Sequence, residues 1–224
     1  MQEYVIETTR ETPPLDGAIE GTPWDRANRL LIDQFNWHTG GPKPLTAARF
    51  LYDDNSLYGQ FHVEDQNISA EVTELNGPTF QDSSVELFVD PNPDSDTRYF
   101  NFEVNCCGQF KLGWQRDGWQ ERDLGRDLIA RELADQIWVA SSVESPVREP
   151  RSSDEEWWVA TEIPFSVLRQ FTEVDIGPKS GTTWRGNVYR SGVERESMKA
   201  TWSPMPTPEP DYHSPEYFGR IRFG

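Results

Sequence analysis

The side chains best suited to holding a ligand fall at alternating positions of two neighbouring segments, Val85 to Asp90 and Tyr99 to Asn105. In the first, Val85, Leu87 and Val89 oppose Glu86, Phe88 and Asp90. In the second, Phe100, Phe102 and Val104 oppose Tyr99, Asn101, Glu103 and Asn105. Period-two alternation of this kind marks half-buried strands, and the eight-residue connection (91–98) suits a hairpin. Pairing them collects Glu86, Phe88, Asn101, Glu103 and Asn105 on one face, opposite an apolar one. A later segment, Trp184 to Ser191, adds Arg185, Asn187 and Tyr189 on one side and Arg190 on the other. Carboxylates and amides bind hydroxyls in pairs, and aromatic rings cover apolar C–H surface, so the set matches what a sugar needs. A solvated outer sheet face shows the same alternation, and the pattern alone leaves both readings open.

Two other chemistries are weighed from residue types. The turn Asp90-Pro91-Asn92-Pro93-Asp94-Ser95-Asp96 offers the oxygens of Asp90, Asn92, Asp94 and Asp96 to a hard cation such as calcium. It lacks the Gly and distant Glu of an EF-hand, and a plain acidic turn is the competing reading. Glu86 and Glu103 also form a pair that could serve as acid and nucleophile in glycoside hydrolysis, although two acids on adjacent strands are commonplace in an acidic chain. There is no G-x-S-x-G, HExxH, P-loop or CxxC, and His38, His62 and His213 lie far apart. The two cysteines, Cys106 and Cys107, are adjacent and cannot staple distant parts of a fold.

The elements that must position these residues are short strands. Further candidates are Leu45 to Tyr52, Leu57 to Glu64, Gln109 to Trp114, Ile137 to Glu144, Glu156 to Ile163, Thr183 to Arg190 and Tyr217 to Phe223. Turn chemistry separates them at Asp53 to Ser56, Asn76-Gly77-Pro78, Gly177 to Gly181 and Pro204 to Pro210. Pro164 followed by Phe165, Val167, Leu168 and Phe171 predicts a short helix, while 121–135 is ambiguous between helix and strand. Many strands, few helices and no composition break predict one all-β domain over residues 1–224. The expected architecture is an antiparallel two-sheet β-sandwich of jelly-roll type with one or two short helices. The 9 Trp, 12 Phe and 7 Tyr supply core area despite a hydrophobic fraction of 35%.

The 224 residues carry 38 Asp plus Glu against 21 Lys plus Arg, a formal net charge of −17. That balance argues against nucleic acid and anionic membrane surfaces as partners. No window approaches the roughly 18 apolar residues of a membrane span, and Met1 to Arg10 lacks the layout of a signal peptide. The expectation is an extracellular or periplasmic protein if a leader was removed, and otherwise a cytoplasmic one.

From about residue 15 onward the chain resembles the family 9 carbohydrate-binding modules and the wider DOMON-like β-sandwiches. The resemblance rests on motifs in family order: Leu15-Asp16-Gly17 with Trp24, Tyr52 to Tyr58, Asp82 to Asp90, Tyr99 to Asn105 with Gly108, Trp158 to Phe165, Trp184 to Arg190, Trp202-Ser203-Pro204 and Tyr217 to Ile221. It implies non-catalytic binding of an oligo- or polysaccharide, by a monomer or a part of a larger multidomain glycan-degrading protein. Family members that bind sugar hold a terminal unit between two aromatic rings, which carry over to Phe80 and to the neighbourhood of Tyr212. The motif glutamate and asparagine fall at Glu86 and Asn105. Both aromatic positions hold Trp in the characterised binding type, a basic residue is expected where Glu103 stands, and an amide where Tyr189 stands. Structural calcium is also implied by the family. Trp37, Trp114 and Trp119 could extend a binding platform, whereas Trp138, Trp157, Trp158 and Trp184 fall in predicted strands and suit packing. DOMON-like relatives include haem-binding electron-transfer domains, for which Met198, Met205 and His213 would be the axial candidates.

Overall fold

Alternation decides which face each strand buries, and in the computed structural model, which describes residues 1–94, 97–144, 146–192 and 198–224, it does so nearly throughout. The strands are β1 (Glu3–Thr8), β2 (Leu30–Leu31), β3 (Thr46–Tyr52), β4 (Ser56–Glu64), β5 (Ser84–Asp90), β6 (Arg98–Asn105), β7 (Phe110–Arg116), β8 (Asp127–Leu128), β9 (Trp138–Ser141), β10 (Glu156–Pro164), β11 (Thr183–Ser191), β12 (Ala200–Thr201) and β13 (Gly219–Phe223). One sheet runs β8-β7-β6-β5-β11-β13-β1 and the other β1-β3-β4-β10-β9, with β12 beside β11 and β2 beside β3. The expected all-β sandwich is the fold.

One departure from a purely antiparallel arrangement lies at the shared strand. Residues Glu3 to Ile6 of β1 pair in parallel with β13, and Glu7 and Thr8 pair in parallel with β3, so β1 closes one edge by serving both sheets. The alternation there is short, Tyr4 and Ile6 buried against exposed Glu3, which is why the segment gives a weak strand signal.

The sheets bury one continuous core. Val85, Leu87, Phe100, Phe102, Val104 and Leu112 from the first meet Phe50, Phe61, Val63, Trp157 and Val159 from the second. Trp184 packs edge-on against Phe223, Phe100 and Phe165, giving each ring the T-shaped geometry its quadrupole favours. Phe165 opens helix α2 (Phe165–Thr172), the second of two after α1 (Arg131–Ala134) in the ambiguous stretch. Pro164 stands just before α2 with its fixed φ, and Glu173 in left-handed conformation (φ 57°) ends it. Arg190 ties the sheets together at one end: from β11 its guanidinium donates to Glu64 O (2.6 Å) and Thr46 Oγ1 (3.1 Å) and pairs with Asp65 (2.9 Å). Cys106 is buried and Cys107 half-buried.

The outer face of the first sheet is not left to solvent. Phe88, Tyr99 and Tyr189 on that face form a second apolar cluster with Met205, Tyr212 and Phe218, against which Trp37 and Tyr217 pack. The segment that follows β12 and the loop carrying Trp37 therefore roof the sheet, and the polar residues among the rings become buried.

Candidate functional site

Strand register builds the site. Lys111 of β7 stands opposite Glu103 of β6, Glu103 opposite Glu86 of β5, and Glu86 opposite Tyr189 of β11, forming one row across the sheet. The next row on the same face is Gly113, Asn101, Phe88 and Asn187. Directly opposed residues have Cβ atoms about 5 Å apart, so the two carboxylates and the ammonium must interact.

Glu86, Glu103 and Lys111 are 2–3% exposed. Glu103 is fully engaged: Thr79 Oγ1 (3.2 Å) and Lys111 Nζ (3.2 Å) donate to one oxygen and Asn101 Nδ2 (2.5 Å) to the other. Glu86 accepts from the Ser191 hydroxyl (2.5 Å) at Oε1, which leaves Oε2 for the cleft. Burial, and then the charge of Glu103, push the Glu86 carboxyl up to about 8, against the opposing effects of Ser191, Lys199 and Lys111. At neutral pH Glu86 therefore carries a proton and can donate as well as accept.

These residues floor a cleft of about 210 Å³. Typical drug-sized sites exceed about 300 Å³, so the space suits one small unit of a ligand. Its walls are Phe80, Phe88, Tyr212, His213 and Pro210, and Gln120, Arg126, Lys199 and Asp211 complete it. Phe80 sits on a 3₁₀ turn (Thr79–Gln81) after Pro78 and is 43% exposed, with Lys111 Nζ 5.4 Å from its ring centre. Tyr212 is buried, its ring stacked on Tyr189 (4.1 Å, 10°) and its hydroxyl donating to Arg190 O (2.6 Å). His213 Nδ1 lies 2.8 Å from the Tyr99 hydroxyl. Burial, with Arg126 and Lys111 nearby, draws the imidazole down to about 4, so it is neutral at pH 7. With Tyr99 as donor to Nδ1, the ring proton lies on Nε2.

Of the residues singled out by sequence, the structure brings Phe80, Glu86, Phe88, Glu103, Tyr212 and His213 to the cleft and places Asn101 beneath it through Glu103. The others frame it. Asn105 spends its amide on Val72 O and Asp82, and on the backbone N–H of Cys107 and Gln109, where it holds a turn. Asn187 is consumed by Ser203 and the Val188 N–H, and Tyr189 donates to Tyr212 O beneath the Tyr212 ring. Trp37 is half-buried behind Tyr212 (6.0 Å, 46°), with Nε1 donating to Thr207 O. Trp114 is core, and Trp119 packs edge-on against His213 at 5.7 Å.

For the calcium reading, Asp90 Oδ1 accepts from the Asn92 N–H, as in an ordinary Asx turn, and Asp94 follows on the same loop. Asp96 lies outside the described residues, among which no three acidic, His or Cys side chains come together to hold a metal ion. The haem candidates are separated: Met205 is fully buried in the roof, His213 is in the cleft, and Met198 lines a different hollow beside Glu64 and Asp65.

Sequence reading missed Lys111, Ser191, Arg126 and Lys199, and named His213 only as a haem-ligand candidate. The first two were recoverable, since extending the hairpin register to β7 and β11 sets Lys111 across from Glu103 and Ser191 two places from Tyr189. Arg126, Lys199 and His213 reach the cleft from connections between strands, where no local periodicity points at them.

Comparison with known proteins bears on the family and the fold. The family model for carbohydrate-binding family 9 matches residues 22–223. The chain is 26% identical over 106 residues to the exoglucanase XynX of Acetivibrio thermocellus and to endo-1,4-beta-xylanase A of Thermoanaerobacterium saccharolyticum. Each alignment covers 47% of this chain but only 9% and 8% of those enzymes. Among solved structures, a candidate carbohydrate-binding protein from Bacteroides uniformis superposes with a TM-score of 0.84 at 24% identity, covering 100% of this chain and 99% of the other. A family 9 module from Caldicellulosiruptor kristjanssonii in complex with glucose gives 0.63 at 15% identity, with 100% and 96% covered. The complex with cellotriose gives 0.63 at 15%, with 99% and 93% covered.

Proposed function

The chain belongs to carbohydrate-binding family 9, and on that premise we propose that the cleft lined by Phe80 and Tyr212 holds one sugar unit of an oligo- or polysaccharide without acting on it. The observation that carries the reading is the buried row Lys111, Glu103 and Glu86 open to a cleft with an exposed ring at its rim. Such an arrangement offers Phe80 to the C–H face of a pyranose, and the protonated Glu86 carboxyl with the His213 Nε2–H to its hydroxyls. Glu103 has three donors on its two oxygens, so it serves to fix Lys111 and Asn101 and is not poised to attack an anomeric carbon.

The relatives that are polysaccharide-degrading enzymes support placing the module beside catalytic units in a longer glycan-degrading protein, and hence outside the cytoplasm. Calorimetry against a panel of neutral and acidic mono- and oligosaccharides tests the binding. Phe80→Ala should weaken it roughly 2- to 13-fold, the worth of one stacking contact, with little change in melting temperature because Phe80 is 43% exposed. Absence of any binding at millimolar sugar overturns the reading.

A further inference from the structure

The charge of the cleft does not follow that of the chain. Acids outnumber bases 38 to 21 overall, yet the cleft lining holds Lys111, Arg126 and Lys199 against Glu86, Glu103 and Asp211. Lys111 is matched by Glu103 at 3.2 Å. Asp211 is exposed and accepts from the His213 N–H at 3.0 Å. Glu86 is buried, and its carboxyl is held in the neutral form at pH 7.

Arg126 and Lys199 then remain against Asp211, a surplus of one positive charge in the lining, and among the described residues neither cation forms an ion pair. Each is held instead over an aromatic ring, Arg126 at 4.7 Å from Trp119 and Lys199 at 5.7 Å from Tyr212. Contact with a ring face positions a cation without neutralising it. Both charges reach the cleft interior: Arg126 bears on His213 and Lys199 on Glu86. Neutral hydroxyls need no such unmatched cations, whereas a carboxylate or sulfate ester on the sugar would complete them with charge-assisted hydrogen bonds.

We propose that the unit this cleft selects is an acidic sugar, its anionic group read by Lys199 and Arg126. The inference rests on the sugar-binding reading and narrows it to a ligand class.

Calorimetry of the intact chain against glucose, glucuronate, galacturonate and glucose 6-sulfate, at low and at physiological salt, decides it. At least one acidic sugar should bind about tenfold tighter than glucose at low salt, with the advantage shrinking as salt rises. The uronate and sulfate arms identify which anion is read. Lys199→Met and Arg126→Gln, each checked for an unchanged melting temperature, should bring the acidic-to-neutral ratio towards one. Glucose binding as tightly as every acidic sugar, or a ratio indifferent to both substitutions, overturns this inference and leaves the sugar-binding reading intact. No binding of any member overturns both.

Discussion

The protonated state of Glu86 has a measurable consequence in stability. Its carboxyl sits in a row with Glu103 and Lys111, faces Tyr189 on β11, and lines a cleft shared with Lys199 and Tyr212. Burial and then the Glu103 charge raise it from 4.5 to about 8. The folded protein therefore binds this proton more tightly than the unfolded chain does. Unfolding releases the proton between about pH 4.5 and 8, and stability falls as pH rises through that window. The full shift corresponds to about 5 kcal/mol. A chain of this size moves its melting temperature by about 2–4 °C per kcal/mol, so the whole swing is about 10–20 °C. His213 acts in the opposite sense: held neutral down to about 4, it costs stability as pH falls from 6.5. The two slopes oppose each other between about pH 4.5 and 6.5, and Glu86 acts unopposed by His213 above that. Glu86→Gln keeps the shape and still accepts from Ser191, but it does not titrate. Melting temperatures of both proteins from pH 5 to 9 at fixed ionic strength isolate the Glu86 contribution, since His213 cancels in their difference. Between pH 5 and pH 8, which spans about three quarters of that swing, the variant should gain on the parent by about 7–14 °C. A difference independent of pH would refute the claim that Glu86 is neutral in the folded protein.

Asn105→Ala removes four hydrogen bonds at a fully buried turn and should cost about 3 kcal/mol or more, read as a lowered midpoint in chemical denaturation. Loss of less than 1 kcal/mol would contradict the framing role assigned to it. Arg190→Met leaves Asp65 without its cation, with only the Trp157 Nε1–H still donating to it, and unties β11 from β3 and β4, so a loss of about 3 kcal/mol is expected. Since Tyr212 donates to the backbone of Arg190 and not to its side chain, sugar affinity of the folded fraction should change little.

The sandwich was legible because its strands alternate in short bounded runs. Residues 85–90 and 99–105 pair as the anticipated hairpin, with Glu86, Phe88, Asn101, Glu103 and Asn105 on one face, and Pro164 precedes the anticipated helix. Strand β1 was not, because its partners β13 and β3 are remote in sequence and parallel pairing leaves no hairpin signature. For the site, alternation located Glu86, Phe88, Asn101, Glu103 and Asn105 on one face but could not rank them. Depth within the roof does that. Asn105 and Asn187 lie where backbone groups need partners, while Glu86 lies where the roof opens. Such ranking depends on residues 198–218 folding back over the sheet, a long-range event that no local pattern encodes.

The same roof accounts for the high aromatic content of an acidic chain. Burying Glu86, Glu103, Lys111 and Asn101 on a sheet face costs desolvation energy that their mutual bonds only partly offset. Open to water, that row would be a flexible, screened surface with weak preference for any ligand. Phe88, Tyr99, Tyr189, Met205, Tyr212 and Phe218 exclude water around it, and their burial supplies the opposing free energy, a few kcal/mol per large side chain. Rings such as Tyr189 and Tyr212 thus keep the polar row dry, which lifts Glu86 into its neutral form, while Phe80 stays exposed at the rim. The aromatic residues of the roof and the acids of the sheet are one device, and substituting either set should disturb the protonation of the other.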